Sequence, residues 1–402
     1  MKNLQKLLRD LIVLLIFVWA FAFYFIREEF AHYADRDSKY EDNYRNTSSS
    51  RVVYKRKPHF LSLTQTLTEV NLVNSSYELG SVFHKKKCKQ DLGTIAVLQY
   101  TDHWYEKKVA GNAMQSVRCY TKMRGYPLYQ FDADFTADIL SACEQFQHLL
   151  AKRHCLTAQL LMKYDYILFI DGDSGIINPN HCIEEYINPK VDMMLLIRDT
   201  TGEIEAGQYI AKNSSFSYRF LILWAKLTEN IYPEDQSALH KVLTLKVLNA
   251  NEREICQSLL KVLPRPGRRT QPRPYWKWAS CIVNSLRRRK LKSIRQCRIQ
   301  IFARSQGFAR DTWPTNYLWS RTDFILHYWK YKHDVYLSRK MRAHDCKGDK
   351  WNIPYISKLK VDDNTLLQAW IEVEKKNPSL RKGYAVLIPF THCWPNCTNI
   401  IV

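Results

Sequence analysis

Five apolar residues, Tyr166-Ile167-Leu168-Phe169-Ile170, run straight into Asp171-Gly172-Asp173. A run so short and so apolar, stopped by acids and glycine, reads as a buried strand of a mainly parallel sheet. Such a strand needs helices packed over it, and the neighbouring sequence offers them in alternation. Thr94 to Tyr100 is a second buried strand, and Ala110, Met114, Val117 and Tyr120 follow at helical spacing until Gly125 and Pro127 stop them. Leu128 to Phe131 reads as a strand and Cys143 to Lys163 as a long amphipathic helix. Beyond the acids come a helix near Pro179 to Tyr186, strands at Asp192 to Ile197 and Gln208 to Ala211, and helices over Phe216 to Thr228 and Ser237 to Val247. Strands at Ile299 to Ala303 and Phe324 to Tyr328 and a helix at Thr365 to Lys375 complete the pattern. Strand and helix alternating in this way predict an α/β fold, a mainly parallel sheet flanked by helices.

Composition narrows what such a fold can bind. Glycine is scarce, 12 in 402 residues, and neither a G-x-G-x-x-G dinucleotide loop nor a G-x-x-x-x-G-K-[ST] phosphate loop is present. A hydrophobic share of 46% with 13% aromatics excludes a disordered chain. The net charge is +21, yet residues 261–310 hold 15 Lys and Arg and no acid, which leaves +6 for the rest. The chain is therefore not an evenly basic nucleic-acid binder. Pro264, Pro266, Pro272 and Pro274 mark the basic stretch as an extended, exposed insertion. It reads either as a solvated surface or as a groove for an acidic glycan or an anionic membrane face.

The first 93 residues carry targeting signals. Leu11 to Ile26 is sixteen residues without a charge, a helix of about 24 Å. With Arg9 and Arg27 snorkelling, it spans a thin early-secretory bilayer. Lys2, Lys6 and Arg9 precede it, while Arg27 to Arg45 carries four basic residues against six acids. That asymmetry predicts a cytosolic tail (1–10), a transmembrane signal anchor (11–26) and a luminal remainder, in Golgi or endoplasmic reticulum membrane as a single-pass type II protein. A cleaved signal peptide is the competing reading, because Ala20-Phe21-Ala22 mimics a cleavage site. Residues 27–93, polar and aperiodic, read as a stem, 94–335 as the folded domain and 336–402 as a C-terminal extension. Sequons at Asn46, Asn74, Asn213 and Asn396 and eleven cysteines agree with an oxidising lumen. Cys393 and Cys397 are expected to staple the tail. Behind such an anchor, nucleic acid is not an expected partner.

The chemistry concentrates at Asp171-Gly172-Asp173. Ligands of open α/β sheets bind beyond the carboxyl ends of the strands. Two carboxylates one residue apart, on a turn that Gly172 permits, can converge on one hard divalent cation. The plain alternative is a strand-to-helix turn with solvated acids. An aspartyl-nucleophile phosphatase also places D-x-D after a strand, but it needs a later acid pair near a strand end. Asp362-Asp363 follows no strand.

The segment Lys163 to Pro179, K-Y-D-Y-I-L-F-I-D-G-D-S-G-I-I-N-P, preceded by Arg153-His154-Cys155, resembles the D-x-D segment of nucleotide-sugar glycosyltransferases of the GT-A (Rossmann-like) fold. It is most similar to a nematode-expanded family of unknown function in the nucleotide-diphospho-sugar transferase superfamily, and more distantly to glycogenin-like and galactosyl/xylosyltransferase families. Three further stretches match in order. Glu205 to Asn213 resembles an A-G-x-y-x-x-R-N strand, with Lys212 in the arginine's place, and Glu234 to His240 a D-Q-x-x-L segment. Gly307 to Trp313 with Asp323 to Lys330 resembles the late G-W-A-R-D-x-W and H-x-x-K elements.

The resemblance implies a metal-dependent transferase that moves a sugar from a nucleotide diphosphate, a UDP-sugar above all, to a glycan or glycoprotein acceptor. Asp171, Asp173 and His327 would hold Mn²⁺ (or Mg²⁺), the imidazole favouring Mn²⁺. Read from its apolar setting alone, His327 is a hydrogen-bonded core histidine. Lys330 would reach the diphosphate. Asp235 and Gln236 would face the sugar as the catalytic pair of a retaining enzyme, although Asp235 also reads as a helix cap. Gly207 would let backbone approach the donor, unless it marks a bulge. Thr101, Asp102 and Tyr105 at the first strand end would meet the nucleoside, or are simply polar side chains facing solvent, and Arg153 would bind the donor or pair with an acid. A non-catalytic, lectin-like or scaffold protein on the same fold is the rival class.

Overall fold

The computed structural model describes residues 88, 92–199, 201–230, 234–260, 272–288, 298–330, 359–376 and 398–402. All of them belong to the unit Glu78–Val402. The expected tail, anchor and nearly all of the stem lie outside the described residues, as do Cys393, Cys397 and three of the four sequons. Among the described residues no helix is long and apolar enough to cross a membrane.

Among the described residues the order begins with β1 (Ile95–Leu98), a helical turn at His103–Tyr105, a π turn at Glu106–Ala110 and α1 (Gly111–Arg124). β2 (Leu128–Tyr129), α2 (Ala137–Ala142), α3 (Leu149–Leu160), β3 (Tyr166–Ile170) and β4 (Gly175–Ile176) follow. Next are β5 (Met193–Ile197), β6 (Ile204–Lys212), α4 (Ser215–Asn230), α5 (Asp235–Lys246), α6 (Ala250–Leu260) and α7 (Pro272–Arg288). β7 (Ile299–Phe302), β8 (Ala309–Asp311), β9 (Ile325–His327), α8 (Asp363–Lys376) and β10 (Ile400–Ile401) close the order.

Among the described residues seven strands form one sheet in the order β10-β7-β5-β6-β3-β1-β2. β1, β2, β3, β5 and β7 run one way, and β6 and β10 run against them. The expected mainly parallel α/β sheet is therefore present. Its central strand β3 is apolar on both faces because both faces are covered. Ile167 and Phe169 of β3 join a core containing Leu156, Trp224 and Leu239, whereas Tyr166, Leu168 and Ile170 join one containing Val117, Tyr120 and Phe324. A second sheet, β4-β9-β8, stands at the end of β3 that carries the acids.

Four expectations about the elements need correction. The helix expected over Cys143 to Lys163 begins only at Leu149; Cys143 ends α2 and is joined to Cys155 by a disulfide. The helix near Pro179 to Tyr186 is only a 3-10 turn, Ile183–Tyr186, beside the Cys88–Cys182 disulfide. β6 starts four residues early, because Glu205 is buried at its head rather than solvated. The basic stretch 261–310 is not one exposed insertion. Its prolines at 272 and 274 open α7, where the first turn tolerates them. Trp278, Ile282 and Leu286 recur every four residues on a buried face, and a Cys256–Cys281 disulfide ties α7 to α6. Further along, Arg304 and Arg310 are internal, Arg310 being paired with Asp323. Lys277, Arg287 and Arg288 are exposed, and 261–271 and 289–297 lie outside the described residues.

Candidate functional site

The site forms where the carboxyl end of β3 meets the small sheet. β3 delivers Asp171, and the following turn delivers Asp173 and is held by Gln99, whose amide donates to the carbonyls of Asp171 and Ser174 at 3.1 and 2.7 Å. β4 then pairs with β9, which sets His327 beside the turn. The backbone N–H of Trp329 donates to the Asp173 carbonyl at 2.8 Å, so the chain after His327 is fastened to the acidic turn.

His327 Nε2 lies 3.7 Å from Asp171 Oδ2 and 3.5 Å from Asp173 Oδ1. These are too long for good hydrogen bonds. They are close to the edge lengths of a coordination polyhedron with bonds of about 2.0–2.2 Å, whose adjacent ligands stand roughly 3–3.6 Å apart, the Asp171 distance being slightly longer. Ligand atoms from the three residues all lie within 4.8 Å of one another. Asp173 Oδ2 is buried and receives no hydrogen bond, although the Lys330 ammonium stands 3.1 Å away. Two carboxylate oxygens and an imidazole nitrogen, with a second Asp173 oxygen held by no donor other than the Lys330 ammonium, fit a divalent cation. The Cys88, Cys182 and Glu184 cluster does not, because its two sulfurs are spent in a disulfide.

On its other side the ring meets two more carboxylates, Asp311 Oδ1 at 2.9 Å and Glu205 Oε1 at 3.0 Å from Nδ1. Burial by itself would push the imidazolium down, but Asp173 and Glu205 outweigh it and hold the ring well above the ordinary histidine value.

Arg153, on α3, is buried and bridges two acids. Nη1 donates to Asp171 Oδ1 at 2.8 Å, and Nη2 donates to Asp235 Oδ2. His154, the next residue, adds Nε2 to Asp235 Oδ2 at 3.1 Å. Burial would raise the Asp235 carboxyl, yet Arg153 and then His154 keep it below the usual carboxylate range. His154 is itself neutral, pushed down to about 4 by burial. Asp235 begins α5 and its side chain makes no cap, so the helix-cap reading of this residue falls away.

The other expected residues divide. Thr101 and the Tyr105 ring lie over Gly172, where a Cβ would come within 3.0 Å of Tyr105 Cε1. Burial, then Asp173 and Asp171, raise the Tyr105 phenol. Asp102 is exposed and accepts from the Tyr105 N–H at 2.6 Å, a cap on the helical turn. Gly207 backs Asp171, whose Oδ2 a Cβ there would approach to 3.1 Å. The Gln236 amide donates to the Ile204 carbonyl and accepts from the Ala206 N–H at 3.0 Å, so it braces β6. The reason is local: β6 begins earlier than expected and leaves backbone groups beside α5 to be satisfied.

Sequence reasoning assigned no role to Glu205, Asp311, Arg198 or His154. Glu205 and Asp311 lie inside the matched stretches, and the local signal is clearer for Glu205, which stands between the apolar Ile204 and Ala206, than for Asp311, which follows Arg310. Arg198 draws on Glu203, Glu205 and Asp311 at 3.4–3.6 Å.

Fold and site together define an α/β protein with a buried carboxylate–imidazole cluster at its strand ends. A family model described as "Protein of unknown function, DUF273" matches residues 117–343, more than half of the chain, and the chain belongs to that family. Among solved structures it is similar to a glycosyltransferase involved in the glycosylation of the major capsid of PBCV-1, at 12% identity over 58% of this chain and 93% of that one, with a TM-score of 0.35. No curated protein matches the chain.

Proposed function

We propose that the protein is a metal-dependent glycosyltransferase of GT-A type that takes a sugar from a nucleotide diphosphate, a UDP-sugar, and passes it with retention to a glycan or glycoprotein. The observation that carries this reading is the convergence of Asp171, Asp173 and His327 on one point with Lys330 beside it. These three residues would hold Mn²⁺ or Mg²⁺, and the bound cation would offset the charge that grows on the departing diphosphate. Lys330 supplies a second positive charge to the same oxygens. Thr101 and Tyr105, over Gly172, form the wall on which the nucleoside would rest. Asp235 remains ionised through Arg153 and His154, and one guanidinium ties it to Asp171. That places a fixed negative charge near the cation site, where it would stabilise positive charge developing at the anomeric carbon. Gln236 acts one step back, by holding the Ile204–Ala206 segment ahead of Gly207.

Three disulfides among the described residues support an oxidising lumen. With the apolar run 11–26, they support a type II anchor in the Golgi or endoplasmic reticulum membrane.

The test is incubation of the full chain with a panel of sugar nucleotides and Mn²⁺, with release of the nucleoside diphosphate measured. Turnover that needs the metal and vanishes in Asp173→Ala is the expected result. Binding without turnover leaves a lectin-like protein, and neither binding nor turnover overturns the reading.

A further inference from the structure

His327 is gripped from both sides, and the Nδ1 side is built as carefully as the other. β8 and β9 run parallel with Asp311 in register beside His327. This pairing sets the Asp311 carboxylate 2.9 Å from Nδ1. Glu205 arrives from β6 of the large sheet and stands 3.0 Å from the same nitrogen. Both acids are 2% exposed. The backbone is fixed as well, since the Thr312 N–H donates to the His327 carbonyl at 3.1 Å. An imidazole nitrogen between two carboxylate oxygens carries a hydrogen, and the neutral ring then turns the lone pair of its other nitrogen outward. Here the other nitrogen is Nε2, which faces Asp171 and Asp173.

We propose that Asp311 and Glu205 are positioning residues that share the Nδ1 hydrogen of His327, and so fix the tautomer and rotation in which Nε2 can bind a divalent cation. The proposal rests on the cation site of the reading above and extends it to residues that touch neither cation nor substrate. Two acids hold one hydrogen, with Arg198 offsetting their charge from 3.4 and 3.6 Å. Either acid alone therefore retains part of the constraint, and removal of both releases the ring.

The test uses the full chain, its Asp311→Ala and Glu205→Ala variants, the double variant, and the conservative Asp311→Asn and Glu205→Gln, which keep an acceptor oxygen. Mn²⁺ affinity is read by electron paramagnetic resonance, without any sugar substrate. Each alanine variant should bind about 10- to 100-fold more weakly, the double variant more weakly still, and the amide variants between these and the parent. The tautomer is read separately from ¹⁵N shifts of labelled histidine at a pH where the ring is neutral, with His327→Gln identifying the signals. The proton should be on Nδ1. Parental affinity in the folded double variant, or a neutral ring protonated on Nε2, overturns the proposal. If the parent binds no Mn²⁺, the cation reading fails, and the tautomer measurement still decides the role of the two acids. If the alanine variants do not fold, the amide variants and the parent's tautomer decide it.

Discussion

Gly175→Ala tests how tightly the acidic turn is wedged against the strand that carries His327. A Cβ at position 175 would stand 2.4 Å from Trp329 Cε3, 2.6 Å from Cζ3 and 2.9 Å from Ser116 Oγ. Carbon atoms in contact prefer about 3.5–4.0 Å, so the indole must retreat by roughly 1 Å. It has little room, being buried among Ala113, Ile177, Trp319 and Leu326. Overpacking of this kind costs about 1–3 kcal/mol. The displacement also reaches the site, because the Trp329 N–H holds the Asp173 carbonyl and Lys330 follows directly. In urea denaturation of the full chain the midpoint should fall by the equivalent of that energy with an unchanged slope, and Mn²⁺ should bind more weakly. Trp329→Leu removes the atoms that collide. In the Gly175→Ala background it should therefore cost less than in the parent, with a coupling of about 0.5–3 kcal/mol. A Gly175→Ala protein as stable as the parent, or two strictly additive changes, would refute the reasoning.

Three other outcomes follow from buried groups. Arg153→Met strands Asp171 and Asp235 without their shared partner and should cost about 3–5 kcal/mol, part of it recovered by Asp235→Asn, as denaturant unfolding will show. Asp199 is pushed up to about 7 by burial and by Asp311, against about 3.9 for an unfolded aspartate. Between these values the folded chain keeps a proton that the unfolded chain has released, so this group's contribution to stability falls as pH rises from about 4 to 7. Asp199→Asn should gain on the parent at pH 8 relative to pH 5, and unfolding midpoints at the two pH values check it. Replacing Cys256 and Cys281 together by Ala opens a loop of 25 residues and should lower stability by about 3.5 kcal/mol in the same assay.

The order of the sheet elements was legible because their apolar runs are short and sharply bounded. β3 matches its expected limits, and β1, β5 and β7 differ only at their ends. What escaped was carried by residues whose ordinary preferences tertiary packing overrides. Glu205 hid the start of β6, since nothing local says that its charge meets His327 and Arg198. Arginines and prolines made 261–310 look extended, whereas the four-residue spacing of Trp278, Ile282 and Leu286 was the better guide to α7. At the site, Asp171, Asp173, His327 and Lys330 stand together as the resemblance implied. The bracing of Gln236 against β6 depends on a strand boundary that periodicity alone does not locate.

Four carboxylates lie within 3.7 Å of the nitrogens of one imidazole, and Ile170 before Asp171 and Ile325 and Leu326 before His327 are buried and apolar. Gathering buried charge in this way contributes little to stability, because desolvation offsets much of the attraction. A fold that needed only a core could have continued the apolar pattern to the strand ends. On the function proposed above, a cation bound there would account for the charge, and its binding must then appear in the folding equilibrium. At Mn²⁺ 100-fold above its dissociation constant, the parent should gain about 2.7 kcal/mol, a rise in unfolding midpoint that Asp173→Ala should lack. An equal gain in that variant would place the bound cation away from His327 and leave this cluster without a ligand.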